Sequence, residues 1–287
     1  MVRLVEVSAL IREAVPPELA AVFAVITAFG GATGLVFLLS VLYWVGDRRP
    51  TALVVSFTLT ALAVTLALKA GLGLPRPPAS VQFVAHDADP YGFPSGHAVA
   101  SVVVYGGLVL ATERFRSWRG VAAATAIALL IGLSRVVIGV HYLGDVLVGF
   151  GVGLALLLVM WRVTRGDPRR GFAIAAVASL PALAVVGVGA ETLVALGGSL
   201  GGVLGSYKLD DLPSPGSRLE RGVLAVVGVG FVVALQTGQE LLLDGLVTGF
   251  VGTAAVHVLA NLVLVAGILL LPLATEWQWR TALPART

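Results

Sequence analysis

Three short stretches of this chain carry residue types that can move a phosphoryl group. The first is K-A-G-L-G-L-P-R-P-P, residues 69–78, the second F-P-S-G-H-A, residues 93–98, and the third S-R-V-V-I-G-V-H-Y-L-G-D, residues 134–145. Each lies in or beside an apolar run, where charge is expensive and usually functional. In the third stretch, Arg135 can clamp an oxyanion with two parallel N–H bonds. His141 and Asp145 are four apart and share a face if that segment is helical. A carboxylate there can hold the proton of one ring nitrogen, free the other to attack, and stabilise the imidazolium. Alone, the pair reads equally well as an ordinary polar i,i+4 contact. In the second stretch, Pro94 and Ser95 mark a helix start with Ser95 as its N-cap. Gly96 allows close approach to the backbone, and the free N–H groups of a helix start favour phosphate. His97 then sits on the first turn, beside the anion. In the first stretch, Lys69 alone is a snorkelling anchor. With Arg76 it forms a cationic clamp. Phosphoryl transfer needs cations on the equatorial oxygens, an in-line nucleophile and an acid at the leaving group, and each role has a residue.

The elements that position these residues are membrane helices. Of 287 residues, 57% are hydrophobic and 12% charged, and mean hydropathy is +0.96. Long uncharged runs recur, so the expected fold is all-α, a polytopic membrane helical bundle. About nine transmembrane helices are expected, near 19–45, 52–70, 96–112, 120–138, 143–161, 172–189, 192–206, 222–237 and 246–272. Residues 1–18 are too charged for a signal peptide and suit an interfacial amphipathic helix. Arginines cluster at 48–49, 114–119 and 162–170, which the positive-inside rule places in the cytoplasm. The three reactive stretches and the N-terminus then face outside, and the C-terminus and the 207–221 loop face inside. The basic balance belongs to these loops and does not point to nucleic acid. With no cysteine, there is no thiolate metal site.

Lys69…Arg76-Pro77, Pro94-Ser95-Gly96-His97 and Ser134-Arg135…His141…Asp145 together resemble the signature of the type 2 phosphatidic acid phosphatase superfamily, which includes glucose-6-phosphatase and the vanadium haloperoxidases. Three motifs in the right order and spacing are far more specific than any one of them. The resemblance covers residues 69–145 and their framing helices. It implies a metal-independent lipid phosphatase without cofactor, acting on a lipid phosphate or an isoprenoid phosphate or diphosphate. It makes His141 the nucleophile that forms a phosphohistidine, Asp145 its orienting partner, and His97 the acid and then base. Lys69, Arg76, Ser95, Gly96 and Arg135 would hold the phosphate, while Ser134 belongs to the motif without a firm role. The span plan is similar to that of glucose-6-phosphatase and sphingosine-phosphate phosphatases. Residues 1–170 would be the phosphatase core in five spans, and residues 171–287 additional helices of unknown role.

Other polar residues carry less. His86, Asp87 and Asp89 read as a solvated outer loop. His257 and Asn261, four apart in the last span, suit hydrogen bonding between helices. Glu191 reads as a span-end residue. Gly197, Gly201 and Gly205, with Gly198, Gly202 and Ser206, suit a close helix-packing face. The competing readings are a phosphotransferase that passes the group to an alcohol, and a non-catalytic lipid transporter on the same fold.

Overall fold

The computed structural model describes residues 3–83, 90–212 and 217–282. Three helix starts follow their capping chemistry. The Ser117 hydroxyl accepts from the Gly120 N–H at 3.1 Å and the Asp167 carboxylate from the Arg169 N–H at 3.0 Å. Ser217 and Glu220 close a reciprocal capping box. Among the described residues there are eleven helices: α1 Val5–Ala14, α2 Ala20–Ala28, α3 Ala32–Val45, α4 Arg48–Leu72, α5 Gly96–Ala111, α6 Trp118–Val137, α7 Leu143–Thr164, α8 Pro168–Val186, α9 Ala190–Ser206, α10 Arg218–Gly245 and α11 Phe250–Ala282. A π-helical turn, Val102–Gly106, lies within α5.

All nine expected spans fall on helices, but the count of nine is not confirmed. Six helices (α4, α6, α7, α8, α10 and α11) are long and apolar enough to cross a membrane alone. The expected first span is two helices, α2 and α3, bent by 49° at Gly30–Gly31, and counted as one they make a seventh. The α5 and α9 helices are shorter, and α9 is wedged among α4, α8 and α11.

The centre of the bundle is α4, which touches α3, α5, α8 and α9. The glycine stripe on α9 is the expected packing face. A Cβ on Gly197 or Gly201 would strike backbone atoms of Val258 or Leu262 on α11, and one on Gly202 would strike the Phe172 ring on α8. Between α3 and α11, Trp44 donates its indole N–H to the Ile268 carbonyl at 3.0 Å. Pro272, four residues on, has no N–H to bond that carbonyl, so the indole takes the vacant acceptor. Beside it the Tyr43 hydroxyl donates to the Leu269 carbonyl at 2.8 Å. His257 on α11 bonds between helices as expected, to Gln239 on α10 at 2.9 Å, whereas Asn261 donates to the His257 carbonyl of its own helix at 2.9 Å.

The two ends of the bundle differ in chemistry. At one end Arg49 and Arg169 both reach Asp210, at 2.5 and 3.2 Å, and Arg221 caps the Val45 carbonyl. The 207–221 loop therefore shares an end with the arginine clusters, as the sequence implies. The reactive stretches occupy the opposite end, beyond Lys69 on the last turn of α4.

The α9–α11 contact should tolerate no added side chain. Gly201→Leu is expected to lower stability by at least the ~1–3 kcal/mol typical of overpacking. Gly230 on α10 faces open space, so Gly230→Ala should be neutral or raise stability by about 1 kcal/mol. Thermal unfolding of the two variants in detergent compares them directly.

Candidate active site

The chain beyond α4 is folded by its glycines. Gly73, at φ +61°, ends the helix in the left-handed conformation and donates to the Lys69 carbonyl at 2.9 Å. The next residues run extended. Pro75 pairs with Tyr91, and the Gly92 N–H donates to the Leu74 carbonyl at 2.8 Å. Any side chain on Gly92 would crowd Arg3, the Arg76 Cα and the Pro75 carbonyl at 3.0–3.2 Å. Gly139, at φ +76°, makes the turn between α6 and His141, and a Cβ there would strike the Val81 carbonyl. Two loops are thus pinned against each other with Arg76 on one and His141 on the other.

Both ring nitrogens of His141 have partners that fix its tautomer. Nδ1 lies 2.7 Å from the Gly92 carbonyl oxygen, which can only accept, so Nδ1 carries the proton. Nε2 lies 3.2 Å from a guanidinium nitrogen of Arg76, which can only donate, so Nε2 presents its lone pair. The residue is buried, and its pKa is pushed down to about 3, first by burial and then by Arg135, Arg76 and Lys69, against the opposing pull of Asp145. His141 is a neutral imidazole with Nε2 directed into a cationic pocket.

The expected His141–Asp145 pairing needs correction. His141 precedes α7 rather than lying on it, and Asp145 Oδ2 is 3.6 Å from Nδ1, beyond hydrogen-bond length. Asp145 is engaged elsewhere. Arg3 grips it through both oxygens, at 2.7 and 2.8 Å, and the Tyr142 N–H donates to Oδ2 at 2.9 Å. Arg3 also donates to the Pro75 carbonyl at 2.8 Å and stacks over the Tyr142 ring at 4.6 Å. The hydroxyl of Ser8 on α1 accepts from the Leu143 N–H at 2.8 Å. The orienting hydrogen bond to His141 therefore comes from the Gly92 carbonyl. Asp145 supplies a nearby negative charge, fixed in place by Arg3. Sequence motifs missed Arg3. A charge inventory could have found it, since a buried carboxylate needs a partner.

One cavity of about 270 Å³ gathers Lys69, Arg76, Gly96, His97, Arg135 and His141. Ser95 does not cap its helix, contrary to expectation. It is fully buried and its hydroxyl has no partner, which leaves that donor available at the helix start. Ser95 and Asp145 are themselves joined, by the Ser95 N–H donating to the Asp145 carbonyl at 3.0 Å. Arg135 is held from α2 by the Thr27 hydroxyl at 2.9 Å, while its Nε is buried without a partner. His97 faces the bend between α2 and α3, where a Cβ on Gly31 would lie 3.3 Å from His97 Nε2. Ser134 points away and donates to the Ile131 carbonyl at 2.6 Å, a structural role. Glu191, at the start of α9, lines the same cavity as the cations. His86, Asp87 and Asp89 lie outside the described residues.

Residues 49–169 match the PAP2 superfamily, and that stretch holds all eight expected site residues. Phosphatidylglycerophosphatase B of Bacillus subtilis is 34% identical over 76 residues, 24% of this chain and 37% of that protein. The match thus spans little more than a third of that curated relative. Two solved structures are similar in fold. The PAP2-type phosphatidylglycerolphosphate phosphatase of Bacillus subtilis gives a TM-score of 0.49 at 25% identity, over 56% of this chain and 83% of that one. LpxE of Aquifex aeolicus gives 0.47 at 20% identity, over 55% and 93%.

Two measurements probe the candidate site as a structure. Removing Arg3 leaves a buried carboxylate uncompensated, so Arg3→Ala should cost about 3–5 kcal/mol. Asp145→Asn should restore part of that loss in the double variant, and a double-mutant cycle reads the coupling. Between pH 6.5 and about 3 the unfolded chain binds a proton at His141 that the folded chain refuses. Stability should therefore fall as pH drops below 6.5. His141→Asn should flatten that slope in pH-dependent unfolding.

Proposed function

We propose that this protein is an integral-membrane, metal-independent phosphatase that hydrolyses a lipid phosphate or isoprenoid (di)phosphate through a phosphohistidine. The observation that carries the proposal is the neutral His141, whose Nε2 lone pair faces a cavity lined by Lys69, Arg76 and Arg135. The PAP2 match and the phosphatidylglycerophosphatase relative support a lipid phosphate as substrate class.

The residues divide the chemistry as follows. The three cations neutralise the equatorial oxygens. The Ser95 hydroxyl and the backbone N–H groups at the start of α5, beginning at Gly96, donate to the same anion. His141 Nε2 attacks phosphorus as the bond to the lipid oxygen breaks, and His97 gives that oxygen its proton. The Nδ1 proton stays on the ring, shared with the Gly92 carbonyl. The positive charge that develops is stabilised by Asp145. His97, now basic, takes a proton from water as it attacks phosphorus, and the P–N bond breaks to release inorganic phosphate and neutral His141.

The tests separate the roles. Purified protein should release phosphate from a lipid phosphate with a chelator present, and His141→Ala should reduce release at least 10³-fold while keeping its thermal unfolding cooperative. Release dependent on an added metal ion, or undiminished in His141→Ala, sinks the mechanism. In His97→Ala, a labelled aryl phosphate, whose leaving group needs no proton, should leave phosphate on His141 after an alkaline detergent quench, because the P–N bond survives alkali and not acid. Transfer of the label to an added alcohol in place of water would make the enzyme a phosphotransferase. Flux of unhydrolysed lipid would make it a transporter.

We further propose that the site faces the extracytoplasmic side, as does the N-terminus, with the arginine-rich end in the cytoplasm. The chain has no cysteine, so an introduced one is a unique label. Ser80→Cys, exposed beside the site, should react with an impermeant maleimide on intact cells, and Ser117→Cys at the other end should not. The reverse pattern would invert the orientation.

A further inference from the structure

The cavity that holds the cations does not end at the phosphate. From Lys69 it follows α4 past Leu62 and Leu59 to Val55, about 21 Å at 1.5 Å per residue. That is some two thirds of a hydrocarbon core of about 30 Å. Its far walls are Leu39 and Tyr43 on α3 and Val265 and Leu269 on α11, with Val194 on α9 between. Beyond the charged end the lining is overwhelmingly apolar. Helices α9 and α11 lie outside the matched segment, residues 49–169. Their close approach depends on the glycine stripe, and at Gly198 the α9 backbone meets Leu59 and Val265, both cavity walls.

The size of this space limits its occupant. The whole cavity is about 270 Å³. An apolar cavity of roughly 150 Å³ accommodates one benzene ring. On that scale the space takes roughly ten carbons in a single file, with no room for a second chain alongside. The charged end and the apolar arm are one continuous volume, so whatever places its phosphate on Arg76 and Arg135 directs its first carbons into the arm.

We propose that α9 and α11 close a tail chamber, and that the substrate is the phosphate ester of a single-chain lipid alcohol rather than a diacyl lipid. The proposal rests on the phosphatase reading for its substrate but not for its binding site. It gives the helices after residue 170 a role: they are the wall that selects one chain. It also separates this protein from its curated relative, whose name denotes a diacyl substrate.

Hydrolysis of geranyl phosphate, dioleoyl phosphatidate and phenyl phosphate in mixed micelles tests the selectivity. The expected result is a kcat/KM for geranyl phosphate at least tenfold above that for the diacyl lipid. Val265 on α11 and Val36 on α3 both line the cavity. Val265→Phe and Val36→Phe, each filling the arm from a different wall, should lower the ratio of geranyl phosphate to phenyl phosphate turnover at least tenfold. A second arm needs no catalysis. Decylphosphonate should raise the melting temperature of His141→Ala more than methylphosphonate does, and Val265→Phe in that background should remove the difference. Preference for the diacyl lipid, an unchanged ratio in the filled variants, or equal shifts from the two phosphonates would overturn the tail chamber. Failure to hydrolyse any ester, with the phosphonate difference intact, would overturn the phosphatase reading and leave the chamber standing.

Discussion

Asp145 is a carboxylate with no exposed surface, in a chain made mostly of hydrocarbon. An uncompensated charge in such a place costs several kcal/mol, and the surrounding structure is arranged to compensate it. Arg3 takes two of its acceptor positions and the Tyr142 N–H a third, while its backbone carbonyl receives Ser95. These contacts draw together the segment before α1, the start of α7, the start of α5 and the loop that carries Arg76. The cationic cavity is the space they leave. The arrangement also holds the carboxylate 3.6 Å from His141 Nδ1, so that nitrogen takes its orienting bond from a backbone carbonyl.

Local sequence was a good guide wherever the deciding contacts were local. The helices, the convergence of Lys69, Arg76, His97, Arg135 and His141, and the packing face at Gly197, Gly201 and Gly205 all follow from spacing and residue type. The failures share a cause. Arg3 is 142 residues from Asp145, and no periodicity links them. The helical spacing of His141 and Asp145 misled because α7 begins at Leu143, after the histidine. Ser95 had the composition of an N-cap, yet its hydroxyl accepts no N–H of its own helix. The expected first span is apolar throughout, and hydropathy does not register the bend at Gly30–Gly31. The tail chamber requires four helices from both halves of the chain, which composition cannot assemble.

The halves of the protein divide the work of recognition. Residues 49–169 hold the charged end, where the proposed contacts to phosphate leave little freedom in the choice of side chain. The later helices contact the space only through apolar groups and Glu191. Under the proposed function, their sequence can change without touching the phosphate, so selectivity for the lipid can drift while the reaction stays the same.

The bend between α2 and α3 has a mechanical consequence. Counted as one span, α2 and α3 with their 49° bend are shorter along the membrane normal than a straight helix of the same length. Mismatch with the surrounding bilayer acts on tilt and kink. Thr27 rides on one arm of this span and holds Arg135, while Gly31 on the other side of the break lies against His97. Bilayer thickness therefore bears on the distance between a phosphate-facing cation and the histidine beside it, which makes the composition of the host membrane a physical input to the site.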